Sequence, residues 1–325
     1  MHKHLITALR IVASALMLGY LLTKIDVDPA KVVPEWTTGR ALWLVGAVVL
    51  TLLGFVLSAL RWQQVLAALG LRSRTRRLLS HYLAGQFVAN VLPTTIGGDV
   101  LRVTRLARDN GESQPSFASV VLERLTGWLV LPVLTLVGFL VNPGLTHLGA
   151  ATQVALGIAG ATLVALVLIV VVVADERLGG RLAAKQGWQR FGGAVHLGLA
   201  HLRHHPSAAA GILAVGFLYQ LVLVLAALAA AHAVGMEQVG PTALLAFFPA
   251  VAIAQVLPLS ISGVGIREGA FVLFLTPLGV PAEQAIALGL LLYLLNVLVS
   301  LLGAPAFAIG GRRLTDAEVV PSAAA

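Results

Sequence analysis

Long apolar stretches separated by short polar segments are the dominant pattern of this sequence. A helix needs about 20 mostly apolar residues to cross the hydrocarbon of a bilayer. Because the stretches are continuous rather than alternating, they are typical of spanning helices and not of β-barrel strands. Six are long enough to span, with Ala118 as an alternative start for the third. They are Leu5–Leu22, Ala41–Leu60, Leu125–Val141, Gln153–Ala174, Ala208–Val234 and Ala285–Ile309.

Two shorter apolar stretches each end at a proline. Leu78–Leu92 precedes Pro93, and Ala243–Leu257 precedes Pro258. Each stretch is short for a span and is followed by a glycine-containing turn and a second short helical segment. Broken helices are tolerated at membrane depth where the protein buries them. The pattern therefore favours two re-entrant helical hairpins, although the second stretch could also cross.

The two prolines belong to a repeated motif. Residues 89–102 and 254–267 align without gaps and share Ala, Val-Leu-Pro, Ile, Gly and Arg, with Asn/Gln and Thr/Ser as near matches. Three predicted spans separate the copies, and an odd number inverts the second relative to the first. Interrupted segments at corresponding positions of two inverted halves indicate a transport site. A chance likeness of two Pro/Gly breaks is the alternative interpretation.

Composition places the chain in a membrane. Charged residues make up only 11% and hydrophobic residues 58%, whereas soluble domains carry about 25% charged residues. We therefore predict an all-α polytopic membrane protein with about six full spans and two re-entrant helical hairpins related as an inverted repeat. Residues 1–313 form one transmembrane domain with halves of about 1–150 and 151–313, and residues 314–325 form a polar tail. The absence of cysteine excludes disulfides and thiolate chemistry.

The basic residues predict the orientation. With the N-terminus inside, sixteen Lys and Arg residues fall in cytoplasmic segments and four in outer segments, while Arg10 and Arg124 lie within spans. Enrichment of Lys and Arg in short cytoplasmic loops sets topology. Both termini are therefore expected to be cytoplasmic, in a plasma (inner) membrane. The net charge of +8 is assigned to these loops and to anionic lipid headgroups, and not to nucleic acid.

The motifs carry the candidate site residues. Arg102 and Arg267 occupy the same motif position, and an arginine at membrane depth costs roughly 2.5–3.5 kcal/mol, which makes it a functional candidate. Its planar guanidinium binds two phosphate oxygens at once, so we predict that both arginines meet a headgroup phosphate, from opposite sides. A structural pair of Arg267 with Glu268 is the alternative. The supporting hairpin residues are Pro93, Thr94, Thr95, Gly97, Gly98, Asp99, Pro258, Ser260, Ser262, Gly263 and Gly265.

The supporting residues have structural and functional interpretations. The prolines end helices and the glycines permit a tight reversal, while the hydroxyls either cap backbone groups or line a polar cavity. Asp99 is predicted to cap a helix over Val100–Asp109. Glu123 is predicted to be the counter-charge of Arg102, and Arg124 to extend toward the membrane interface.

No pattern indicates metal, cofactor or hydrolytic chemistry. Four histidines in the loop Asp175–Pro206 lack acidic companions at ligand spacing, and the loop is predicted to be a helix at the membrane surface. The chain contains neither GxxxxGK[ST] nor HExxH. We therefore expect no metal and no cofactor.

At these motifs the chain resembles the flippase-like transmembrane domain of lysylphosphatidylglycerol synthases, which also occurs as stand-alone membrane proteins. The resemblance implies a role in moving or handling lipid. The full-length synthases carry a separate soluble domain that transfers lysine from charged tRNA to phosphatidylglycerol; we expect this chain to lack it and to be no enzyme. The likeness is carried by Leu92–Asp99, Arg102, Glu123, Arg124 and Leu257–Gly269, and it covers about Leu5 to Ile309.

The sequence thus predicts a protein that translocates, or assists the translocation of, an anionic phospholipid or lipid-linked headgroup. Its expected partner is membrane lipid, with a separate lipid-modifying enzyme as a further candidate and no nucleic acid. One alternative is a secondary transporter of a small anion, whose flux needs no particular lipid. Another is an intramembrane transferase, or a non-transporting partner that presents lipid to a separate enzyme.

Overall fold

The computed structural model describes Gly19 and residues 37–91, 97–174, 189–256, 260 and 262–308. All regular secondary structure in these ranges is helical. Short 3-10 turns at Pro143–His147 and Thr276–Leu278 follow the fourth and ninth helices. The helices are α1 (Thr38–Ala68), α2 (Thr75–Val91), α3 (Gly97–Asn110), α4 (Ser113–Val141), α5 (Ala150–Ala174), α6 (Gln189–His204), α7 (Pro206–Ala233), α8 (Pro241–Ala254), α9 (Ile266–Leu275) and α10 (Ala282–Ser300).

Five helices of the described ranges, α1, α4, α5, α7 and α10, are long and apolar enough to cross a membrane. The multi-pass helical architecture is therefore confirmed. The predicted span Leu5–Leu22 lies outside the described residues. Short helices flank both motif sites, α2 and α3 around the first and α8 and α9 around the second, while their re-entry and their inverted relation stay predictions.

Two spanning helices are longer than predicted because their polar ends are buried in protein. α1 continues past Leu60 to Ala68, and α4 begins at Ser113, well before Leu125. The added segments contain Arg61 and Glu123, which are 4% and 2% exposed. A buried ion pair joins them, so the chain stays helical through residues that would end a lipid-facing span.

The last predicted span is interrupted. α10 ends at Ser300, residues 301–302 form a turn, and residues 303–308 are helical again. Just beyond the turn, Gly303 lies so close to the backbone carbonyl of Leu83 in α2 that a Cβ would overlap it. The break therefore lets the chain after α10 pack directly on α2.

The largest apolar core lies where α8 and α9 meet α4. Phe247 of α8 stacks on Phe274 of α9 with ring centroids 5.2 Å apart, and Phe139 of α4 meets Phe247 edge-on at 5.5 Å. The α4 and α8 backbones approach closely because Gly138 lies directly against Ala246. Small residues at helix contacts are the usual solution in membranes, where packing replaces the hydrophobic effect.

The two pairs of short helices contact different halves of α4. The first pair shares a cluster with the C-terminal half of α1 and the N-terminal half of α4, formed by Trp62, Leu66, Leu78, Leu106 and Val120. The second pair packs in the core that contains Ala47 of α1 and Phe139 of α4. Val120 and Phe139 are separated by roughly 28 Å along the α4 axis at 1.5 Å per residue. The two clusters therefore lie at different levels along α4.

Candidate functional site

Five charged side chains form one ionic cluster where α3 meets α1 and α4. We call it the Glu123 cluster: Arg61, Asp99, Arg102, Glu123 and Arg124. Arg102 is 2% exposed and donates from Nη2 to Glu123 Oε2 at 3.2 Å and from Nη1 to Asp99 Oδ1 at 3.2 Å. The predicted pairing of Arg102 with Glu123 is confirmed. Arg124, on the exposed edge, donates to both oxygens of Asp99 at 3.0 and 3.1 Å.

Aromatic rings hold the Arg102 guanidinium in place. Its central carbon lies 4.2 Å from the Trp62 ring and 4.9 Å from the Tyr82 ring. The Trp62 indole in turn donates to Ser119 Oγ at 3.0 Å. Cation–π contacts of this kind strengthen when water is excluded. Arg102 is therefore fixed by α1 and α2 as well as by the carboxylates of α3 and α4.

Asp99 has a different role from the predicted one. The helix does not begin after Asp99 but at Gly97, so Asp99 is its third residue and not its N-cap. Its carboxylate receives hydrogen bonds from Arg102 and Arg124 instead. A carboxylate in the first turn also interacts favourably with the helix dipole, so the cluster stabilises the start of α3.

Gly98 also differs from its predicted role in a tight reversal. It lies in the first turn of α3 without a positive φ, and its Cα faces the backbone of Gly85 in α2 so closely that a Cβ would overlap the Gly85 carbonyl. A Cβ on Gly85 would likewise lie 2.9 Å from the Arg102 Cγ. The two glycines thus permit the close crossing of α2 and α3 that seats Arg102.

Arg61 is a site residue that the sequence prediction missed. It is 4% exposed, pairs through Nη2 with Glu123 Oε1, and lies with its guanidinium carbon 5.0 Å from the Tyr219 ring. Sequence counting assigned it to a cytoplasmic loop because the predicted span ended one residue earlier. The apolar residues Val65 and Leu66, a helical turn further on, were the signal that the helix continues with Arg61 facing inward.

The Glu123 cluster has more positive than negative charge. Among the described residues it combines three arginines with two carboxylates, which leaves one net positive formal charge. Nε and Nη1 of Arg61 and Nε of Arg102 are buried without a hydrogen-bond partner in this part of the chain. Buried donors and charges that lack partners are costly. An incoming anion would relieve both costs, so the cluster is suited to bind a negatively charged group.

The second motif forms a compact ion pair. Arg267 is 6% exposed and donates to Glu268 Oε1 from Nη2 at 2.9 Å and from Nε at 3.2 Å. The predicted Arg267–Glu268 partnership is therefore confirmed as a contact, although neighbouring helix positions point in different directions. The guanidinium carbon also lies 5.2 Å from the ring of Tyr293 in α10. A Cβ at Gly289 would lie 3.0 Å from the Glu268 Cγ, so that glycine leaves room for the carboxylate.

The turn before Arg267 follows the prediction. Gly263 and Gly265 have φ angles of 75° and 87°, which favour glycine, and Ser262 has a φ of 52°. The backbone N–H of Gly265 donates to Glu268 Oε2 at 2.6 Å, which fixes the start of α9. The hydroxyl of Ser260 is buried without a hydrogen-bond partner among the described residues. It is therefore a candidate donor to a bound group.

Other predicted site residues lie apart from these contacts. Pro93, Thr94, Thr95 and Pro258 are outside the described residues. Within the described part of the chain, no hydrogen bond or ion pair joins the Glu123 cluster to the Arg267–Glu268 pair. The structure therefore presents two separate arginine–carboxylate sites, one at each motif.

Comparison with known proteins identifies one family. A family model described as "Lysylphosphatidylglycerol synthase TM region" matches residues 7–303, nearly the whole chain. No curated protein and no solved structure matches the chain.

Proposed function

Because this chain belongs to the family of the lysylphosphatidylglycerol synthase transmembrane region, we propose that it translocates, or assists the translocation of, an anionic phospholipid or lipid-linked headgroup. One observation carries the proposal: the Glu123 cluster buries one net positive charge and three unpaired guanidinium donors inside a membrane protein. A guanidinium fork can bind two oxygens of a phosphate at once, and phosphate is the anionic group of phospholipids.

The second arginine site, at Arg267, supports movement of this headgroup rather than binding alone. Arg267 lies in the motif that corresponds to that of Arg102, and the two short-helix pairs contact different halves of α4. In our proposal the headgroup meets Arg102 from one side of the membrane and Arg267 from the other, and rocking of the two halves alternates access. Glu123 and Glu268 hold the guanidinium groups until a phosphate competes for them.

The test is a translocation assay in proteoliposomes. Fluorescent analogues of anionic and zwitterionic phospholipids are placed in both leaflets, and a membrane-impermeant reductant reports how fast the inner pool reaches the outer leaflet. The proposal expects the protein to accelerate exchange of the anionic lipids above protein-free vesicles and above the zwitterionic lipid. If every lipid exchanges at the protein-free rate while an entrapped small anion leaves the vesicles, the protein is an anion transporter instead.

The proposed orientation predicts which surfaces are accessible from each side. The chain has no cysteine, so single cysteines can be placed without background. Glu112, exposed before α4, should label only from the cytoplasm as Glu112→Cys, and Glu237, exposed after α7, only from outside as Glu237→Cys. Impermeant maleimide labelling of intact cells and inverted vesicles measures both. Labelling of the two positions from the same side contradicts the topology and the inverted arrangement built on it.

A further inference from the structure

An apolar groove runs along the outside of the Glu123 cluster between α3, α4 and α5. Its volume is about 420 Å³, and its walls include Val103 of α3, Val121 and Trp128 of α4, and Leu166 and Ile169 of α5. Two charged side chains, Asp99 and Arg124, also contribute to the lining. The groove therefore combines apolar walls with a charged pair.

The wall formed by α5 lies at membrane depth. α5 contains no charged residue over its 25 residues, and a helix of that length and composition spans the hydrocarbon. The α5 residues beside the groove, such as Val167 and Leu168, are each 58% exposed, as expected for side chains that face lipid. The groove is thus bordered by the surface over which acyl chains pack.

The charged pair offers an arginine that is complementary to an anionic headgroup. The Arg124 side chain is 48% exposed and faces Asp99, whose carboxylate is shared with the buried Arg102. Because two arginines share one aspartate, a phosphate in the groove can pair with Arg124 and leave Asp99 to Arg102. An amphiphile with a negative head and an apolar tail can contact both the charged pair and the apolar walls. A soluble anion would contact only the charged pair.

We propose that this groove is the lateral binding site of the translocated lipid, with one acyl chain between α3, α4 and α5 and the headgroup phosphate at Arg124. The inference rests on the proposed function and deepens it, since it assigns the substrate to membrane lipids with a phosphate headgroup. It also gives a route, because the bound phosphate lies next to Asp99, which contacts Arg102 in the buried cluster.

Photocrosslinking tests the groove without requiring transport. Phosphatidylglycerol and phosphatidylcholine that carry the same diazirine-labelled acyl chain are reconstituted with the protein, and labelled residues are mapped by mass spectrometry. The groove residues should be labelled more by the anionic probe, up to about fivefold, since a partly exposed ion pair contributes up to about 1 kcal/mol. The Arg124→Gln variant should abolish this preference.

A pair of tryptophan substitutions provides the matched control. Ile169 lines the groove and is 42% exposed, while its neighbour Leu168 is 58% exposed and does not line it. Ile169→Trp should fill the groove, reduce groove labelling and slow translocation, and Leu168→Trp should do neither. Equal labelling by both probes that survives Ile169→Trp would show ordinary boundary lipid and overturn the site.

The outcomes separate the two proposals. Wild-type translocation that persists in Ile169→Trp removes the groove and leaves the proposed function. Selective labelling of the groove without translocation by the wild-type protein retains the lipid site and removes the transport proposal.

Discussion

Replacement of Glu123 with alanine is expected to lower the free energy of unfolding by about 3–5 kcal/mol, the usual cost of removing one partner from a buried ion pair. Glu123 accepts hydrogen bonds from both Arg61 and Arg102, which are almost completely buried. Without it, two neighbouring guanidinium groups lose the carboxylate that they share. Equilibrium unfolding in detergent, followed by the helical circular dichroism signal, measures the change.

Two variants make this prediction specific. Glu112 precedes the same helix, is exposed and makes no capping hydrogen bond, so Glu112→Ala should change stability by less than about 0.5 kcal/mol. The double variant Arg61→Met, Glu123→Leu removes a buried cation together with the carboxylate. It should recover part of the loss, because apolar replacement of a whole ion pair is often neutral. If the Glu123→Ala protein has the same free energy of unfolding as the wild type, the cluster does not stabilise the fold.

Substitution of Arg267 by lysine is expected to reduce lipid translocation by about tenfold or more while the protein stays folded. Lysine keeps the charge and can still pair with Glu268, so the buried carboxylate remains compensated. It lacks the planar fork, however, and loss of one hydrogen bond to a charged group costs about 1.5–3 kcal/mol. The two bonds to Glu268 use Nε and Nη2, which makes Nη1 the donor that we assign to a phosphate oxygen.

The controls separate binding from folding. Arg102→Lys should behave like Arg267→Lys, because the repeat places both in equivalent positions, whereas Arg108, exposed on α3, should tolerate alanine. Rates in the proteoliposome assay are normalised to monodisperse, folded protein. If lysine restores nearly wild-type translocation and alanine fails only through low expression, Arg267 is a structural partner of Glu268. Wild-type rates in Arg102→Ala and Arg267→Ala would remove the central mechanism.

The sequence predicted the pairings at the motifs better than the limits of the helices. Arg102 with Glu123, and Arg267 with Glu268, could be anticipated because an arginine near hydrocarbon needs a carboxylate, and few carboxylates were available. Arg61 could not be anticipated from span counting. Span counting ends a helix at the first charged residue, because it does not take into account that another helix can supply the counter-charge.

The close approach of helices was also beyond sequence reasoning. Gly98 sits beside a broken segment, so its sequence context indicated a turn, whereas in the structure it permits backbone contact with Gly85. Gly263 and Gly265, in the equivalent part of the second motif, do have the positive φ angles of a turn. Glycine thus permits a close helix crossing in one motif and a tight turn in the other. The sequence alone does not distinguish these roles, because the difference depends on the path of the neighbouring helix.

The contact between Trp62 and Arg102 gives the protein an intrinsic optical probe. The Trp62 indole is completely buried, its ring lies 4.2 Å from the guanidinium carbon, and its N–H is anchored on Ser119. A cation that close shifts the emission of an indole, so any displacement of Arg102 changes the fluorescence of Trp62. Trp128 lines the groove on the same helix as Glu123. Single-tryptophan variants can therefore follow arrival of the head and of the tail separately, in real time and without an attached dye.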